Sequence, residues 1–164
     1  MKKTIKRGVA NILYNLMAKM SFSHLSEETI EAVMDNFMAL GKVAETYQKM
    51  IEEMNKRLLD GIDEETLKAY NELAKDASNE ELEKAYPTIY PIAKKQIKVG
   101  GAIFDKEVEI ELTEVDKSEF VKGVMKGTPK LTAGILDNFG IMFKEEKKKE
   151  DDFSELDALM AEEE

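Results

Sequence analysis

Three carboxylates at alternate positions are the residues of this chain most suited to chemistry. They are Glu107, Glu109 and Glu111. Alternation places side chains on one face of a β-strand, and clustered carboxylate oxygens suit a divalent cation or a basic partner. No histidine and no aspartate cluster accompanies them. We therefore interpret these glutamates as the solvated face of a strand and predict no metal site.

Other chemistry-bearing residues are isolated. His24 is the only histidine and lies in a polar connector, and the chain has no cysteine. The Gly100-Gly101 pair lacks the spacing and the following helix of a phosphate-binding loop, so it predicts a turn. No acid, base and nucleophile form a recognisable set. The sequence therefore predicts no catalytic residue, no cofactor, no metal and no small-molecule substrate.

Charge is abundant and unevenly distributed. The net charge is −10, with +5 in residues 1–20 and −7 in residues 145–164. An acidic surface disfavours direct binding to nucleic acid, although it could attract a basic partner. No stretch approaches the 18 apolar residues of a transmembrane segment. The absence of cysteine agrees with a reducing cytoplasm, so we expect a cytoplasmic protein.

An apolar seam with alternating spacings of three and four residues is the strongest architectural pattern. Its members are Ile30, Val33, Phe37, Leu40, Ala44, Tyr47, Ile51, Met54 and Leu58. The seam is about four heptads long and predicts one helix over 26–60, roughly 50 Å in length. Two compatible interpretations remain open. Helices over 4–20 and 63–77 could fold back on this helix, or the seam could bind a second copy or a partner helix.

The remaining patterns complete a mainly α (α+β) prediction. We expect an antiparallel helical bundle around the long helix in residues 1–143, with a small β-hairpin near 97–112. Pro87 and Pro91 are expected to end helical structure. A last core helix is expected over 129–143, and the alternative is a segment that is only partly helical, because Gly134 and Gly140 lower its helix propensity. Residues 144–164 are predicted to form a charged linker followed by a flexible, acidic C-terminal arm with a short amphipathic segment.

The arm carries the second interaction pattern. Phe153, Leu156, Leu159 and Met160 line one face of a potential two-turn helix, too short to be stable alone in water. Tethered by a charged linker, such a segment is typical of a helix that binds a groove on a partner. Its sequence is similar to the leucine–aspartate motifs that bind helical bundles. The alternatives are a frayed acidic tail and a tail that folds onto its own core.

Taken in order, these elements give a resemblance that spans roughly residues 5–126. It is carried by the leading helix over 12–20, by Val43-Ala44-Glu45 and Lys56-Arg57-Leu58-Leu59 in the long helix, and by the strand 107–112. The chain resembles small acidic helical proteins encoded by phages and prophages. The resemblance implies a bacterial host cell or a virion as its location. It also implies a role as an assembly factor, a virion component or a modulator of host machinery.

These observations predict a non-catalytic protein–protein interaction or assembly protein, and the phage resemblance implies a structural or assembly component of a phage. Its partner would be itself, another protein, or both. The alternative is an acidic inhibitor that mimics nucleic acid and occupies a basic host or defence protein.

Overall fold

The computed structural model describes residues 1–145 and Met160. These residues are mostly helical with one two-stranded antiparallel sheet, which confirms the predicted mainly α fold. In chain order the elements are β1 (Lys2–Lys6), α1 (Arg7–Met17), α2 (Glu27–Leu58), α3 (Glu64–Ala74), α4 (Asn79–Ala85), α5 (Ile89–Asp105), β2 (Glu107–Glu111), α6 (Lys117–Gly127), α7 (Ala133–Leu136) and a 3-10 helix (Asp137–Met142). Within the described part of the chain, no helix is both long and apolar enough to cross a bilayer.

The long helix forms as one uninterrupted element. At its start the Ser26 hydroxyl accepts a hydrogen bond from the Thr29 backbone N–H, and two glutamates occupy the first turn. Lys56 and Arg57 occupy the last turn, so charge complements the helix dipole at both ends. Gly61, the residue with positive φ at 75°, lies just beyond the helix end. The predicted single rod is therefore confirmed.

The sheet differs from the predicted hairpin near 97–112. Strand β2 forms where alternation predicted it, but it pairs with β1 at the N-terminus, with Lys2 opposite Glu111 and Lys6 opposite Glu107. The predicted start of the first helix at residue 4 is wrong for the same reason. Lysines facing glutamates across the two strands, together with buried Ile5, favour a strand over an extra helical turn.

Ile97 and Val99, predicted to lie on the first hairpin strand, belong to helix α5, which runs through Gly100 and Gly101. Pro91 does not end helical structure there. It is the third residue of α5, where the missing N–H would have no intrahelical acceptor in any case. The expectation of a turn at the glycine pair is therefore also wrong.

Helices α1 and α5 are the two antiparallel partners of α2. The Tyr14 ring stacks on Phe37 at 4.7 Å, while Gln48 hydrogen-bonds Asn11 farther along α2. On α5, Gln96 hydrogen-bonds Asn55, and the Phe104 ring meets Tyr47 edge-on at 6.2 Å. The fold-back of the first helix is therefore observed.

The helix predicted over 63–77 does not take the second place in the bundle. Its counterpart α3 instead places Tyr70 in a small separate cluster with α4 and the start of α5. Helix α5 takes the second position because it is long enough to run beside the distal half of α2.

The described domain ends in a short α-helix and a 3-10 helix, which agrees with the partly helical alternative for 129–143 rather than with one continuous helix. Gly134 and Gly140 lower helix propensity there. The segment nevertheless buries Leu136, Phe139 and Met142 in the main core, which also contains the β-sheet, α1, α6 and the proximal half of α2. Val115 and Phe143 then form an isolated parallel bridge.

Candidate functional site

The predicted seam faces protein along its whole length, but not uniformly. Val33 and Leu40 are 0% and 1% exposed, and Ala44 is also buried, so these side chains already contact this chain. The other members of the seam are partly buried, namely Ile30, Phe37, Tyr47, Ile51, Met54 and Leu58. A partner could therefore contact the seam only through its partly exposed members, and Met54 and Leu58 line an open groove.

That groove lies between the distal half of α2 and helix α5. It has a volume of about 540 Å³ and an apolar floor of Met50, Met54, Leu58 and Val99. Helix α1 begins at its near end, where the Arg7 guanidinium donates to the Met50 sulfur at 3.1 Å. On α2 the floor follows one i, i+4 row, which is a continuous ridge of a helix. The floor is therefore a preformed apolar strip.

The groove rim is mostly basic. Its charged lining residues are Lys49, Arg57, Lys95 and Glu53. Lys49 pairs with Glu45 at 2.6 Å, and Arg57 pairs with Glu53 at 2.8 Å. The Arg57 hydrogen bond lowers the pKa of Glu53, and the Glu45 hydrogen bond raises the pKa of Lys49. Since surface ion pairs of this kind contribute little stability, these cations remain accessible to an acidic ligand.

The groove lining suits binding. It offers methionine, leucine and valine side chains, four charged groups and the Thr46 hydroxyl. Methionine side chains adapt to irregular apolar ligands because they are unbranched and polarizable. The arrangement therefore fits an apolar segment with acidic flanks.

The three strand glutamates lie on the exposed face of β2, as the alternation predicted. The N-terminal ammonium pairs with Glu111 at 2.8 Å, and its hydrogen bond lowers the pKa of that carboxyl. Within residues 1–145 and Met160, no group of three or more histidine, aspartate, glutamate or cysteine residues could hold a metal ion. His24 is exposed.

The C-terminal interaction residues fall almost entirely outside the described part of the chain. Phe153, Leu156 and Leu159 lie outside the described residues. Met160 has a helical backbone and is 66% exposed.

Two further hollows border α2. One, about 420 Å³ in volume, contains the stacked Tyr14 and Phe37 rings beside Met38, which is 63% exposed. The other, about 280 Å³ in volume, lies near the start of α2. Its acidic lining residues are Glu28, Glu31, Asp35, Glu114, Asp116 and Glu119. This second hollow concentrates negative charge at one end of the long helix.

Sequence reasoning identified two floor residues of the groove, Met54 and Leu58, and missed the α5 wall. Val99 was hidden by the wrong hairpin prediction for 97–112, and Lys95 by the expectation that Pro91 would end helical structure. The i, i+4 spacing of these two residues could have revealed a helical wall. Met50 was missed because it lies one position outside the seam, although its spacing to Met54 and Leu58 is also helical.

In comparisons with known proteins, the chain matches no family model, no curated protein and no solved structure. The proposed function therefore rests on the geometry and charge of the groove.

Proposed function

We propose that this chain is a non-catalytic protein-binding module whose α2–α5 groove accepts an apolar helical segment with acidic flanks. The observation that carries the proposal is an apolar floor with a mostly basic rim on a chain of net charge −10. Two properties of such a groove determine which ligand binds, namely apolar complementarity along the floor and charge at the rim. An assembly role in a bacterial host cell or a virion, as the phage resemblance implies, belongs to the same proposal.

A designed peptide tests the binding mode directly. The probe is a fluorescein-labelled helix with leucine at positions i, i+3, i+4 and i+7 and glutamate elsewhere, and its anisotropy reports binding. We expect saturable binding that Met50→Glu weakens by at least about tenfold, equivalent to about 1.4 kcal/mol. The measurement uses both the full chain and a chain ending at residue 145. That shorter chain keeps both described hydrophobic clusters, whose buried members end at Phe143.

The matched control is Met38→Glu. Met38 lies on the same helix and is more exposed than Met50, but it borders a different hollow. Equal loss of affinity in the two variants would indicate a general charge effect and contradict binding in the groove. Absence of binding to either chain length would contradict the proposed function.

The second candidate function is an acidic inhibitor, favoured by the carboxylate hollow near the start of α2. A labelled oligolysine peptide is the probe for this alternative. Inhibitor-type binding should weaken by orders of magnitude as salt rises and should respond to Asp35→Asn, whereas groove binding should depend weakly on salt.

A further inference from the structure

The groove has a candidate occupant within the same chain. Resting on the protein-binding role proposed above, we propose that residues 153–160 bind the α2–α5 groove intramolecularly and compete with external ligands. The C-terminal segment thereby regulates access to the binding site.

Charge complementarity supports this pairing. Residues 150–164 contain eight acids and no basic residue. The groove lining contains three cations and one carboxylate. In the described part of the chain, Lys95 has no ion pair or hydrogen bond of its own, so it offers an unused cation. An acidic segment would therefore find a local attraction that most of this acidic protein does not provide.

The segment and the groove floor each present an apolar row along one helical face. Phe153, Leu156 and Leu159 recur every third residue, and Met160 extends the same face. The α2 floor presents Met50, Met54 and Leu58 in one i, i+4 row. A two-turn helix cannot maintain itself in water, but it can form when its apolar face is buried in a groove.

The described domain ends close enough for the segment to reach the groove. Glu145 contacts Lys3 at 3.6 Å, and Arg7, four residues farther along, contacts Met50. Four residues of strand cover about 13 Å. The seven residues from 146 to 152 span up to about 25 Å when extended. A linker of this length gives an effective concentration on the order of millimolar, which favours intramolecular binding over binding to a second copy.

Met160, the one described residue of the segment, is 66% exposed. Binding would move this side chain from solvent onto the groove floor. The two arrangements would then exchange, and an external ligand would shift the population toward the accessible one.

Methionine methyl NMR tests the proposal on the full chain, because methionines occur in the floor, in the segment and elsewhere on α2. The comparison is between the native sequence and the double variant Leu156→Glu/Leu159→Glu, which removes the apolar face of the segment. We expect the Met50 and Met54 methyl signals to differ between these proteins. The Met34 and Met38 signals, which arise from exposed α2 residues outside the groove, should coincide.

The concentration dependence identifies the occupant. Signals that remain constant over an about tenfold concentration range support intramolecular binding, since the local concentration of a tethered segment is independent of dilution. Signals that change with dilution would assign the groove to a segment from a second copy and overturn the proposal. Coincident Met50 and Met54 signals in the two proteins would overturn it as well.

Peptide affinity separates this inference from the proposed function. We expect the double variant to bind the fluorescein-labelled peptide about tenfold or more tightly than the native chain, because the competing segment has been disabled. Equal binding to both proteins would overturn only the regulatory inference. Absence of peptide binding to either protein would contradict the groove's proposed function, while the methyl comparison would still decide whether the segment binds.

Lys95→Glu should weaken segment binding, and Lys98→Glu, on the same helix but outside the lining, is its control.

Discussion

Asn36 is a fully buried polar side chain that joins the long helix to the end of the sheet. Its Nδ2 donates to the Thr113 carbonyl at 2.8 Å, and its Oδ1 accepts from the Thr113 N–H at 2.7 Å. Thr113 follows β2, so neither backbone group has a partner in the two-stranded ladder. A buried amide that satisfies both groups fixes the position of α2 against the chain after the sheet.

Replacing Asn36 with alanine should reveal this dependence. The substitution removes both hydrogen bonds to Thr113 and shortens a fully buried side chain, so we expect a loss of about 1–3 kcal/mol in the free energy of unfolding. Urea denaturation measures this quantity. Asn15→Ala, at an exposed position of α1, is the control and should change stability by about 0.5 kcal/mol or less. Similar effects for both variants would contradict the role of the buried amide.

Gly8 lies where α1 packs tightly against Phe104 of α5. A Cβ atom built at this position would lie inside the Phe104 ring, whereas one at Gly101 of α5 would meet nothing within 4 Å. Gly8→Ala should therefore destabilise the fold by about 1–3 kcal/mol through overpacking. Gly101→Ala should stabilise it by about 1 kcal/mol through helix propensity. Thermal unfolding of both variants provides the measurement, and opposite signs are the required result.

At the level of elements, Glu119 connects the starts of two helices. Asp116 begins α6 by accepting the Glu119 N–H, but the Glu119 carboxylate does not complete a capping box there. Instead it accepts hydrogen bonds from the Ser26 N–H at 2.8 Å and from the Thr29 hydroxyl at 2.7 Å. Hydrogen bonding by Ser26, through its side chain and backbone, and then by Thr29 lowers the pKa of Glu119. One carboxylate therefore supports the first turn of α2 from another helix.

This arrangement predicts an acid-dependent loss of stability. A carboxyl whose pKa is lower in the folded protein contributes stability above its unfolded pKa of about 4.3, and that contribution disappears as pH falls through the folded value. Glu119→Gln should lower stability by about 1 kcal/mol at neutral pH, allowing for solvent screening, and should flatten the decline below about pH 4.5. Urea midpoints across pH provide the test. Glu52→Gln, an exposed substitution on α2, should retain the native pH profile.

The elements that could be predicted from sequence are those whose causes are local. The long helix, the Asp63 N-cap and the capping box of Ser78 and Glu81 each depend on residues a few positions apart. The partner of β2 could not be predicted because β1 lies at the other end of the domain. That error concealed α5 and, with it, one wall of the groove. The side of the candidate site on α2 was thus partly predictable, whereas its other side depended on tertiary packing.

At the scale of the whole molecule, the described domain contains two separate hydrophobic clusters. The main cluster joins the sheet, α1, α6 and the proximal half of α2. The smaller one contains four buried residues, Tyr70, Leu82, Ile89 and Tyr90. Proteins open in units that follow such divisions, and smaller units open at lower free energy. Because α5 belongs to both the small cluster and the groove wall, the stability of the small cluster can influence the shape of the binding site.

Tyr70 tests this division. Its ring meets Tyr86 edge-on at 5.6 Å and is buried between α3 and α4. Tyr70→Ala should destabilise the smaller cluster by about 3 kcal/mol, an amount typical of deleting a buried aromatic side chain. Hydrogen exchange should then accelerate in α3, α4 and the first turns of α5, while α1 and the proximal half of α2 retain native protection. The exposed residue Leu73, on the same helix, supplies the control Leu73→Ala, which should leave this pattern unchanged. Uniform acceleration across the domain would show that both clusters open together, so that the groove wall shares the stability of the main core.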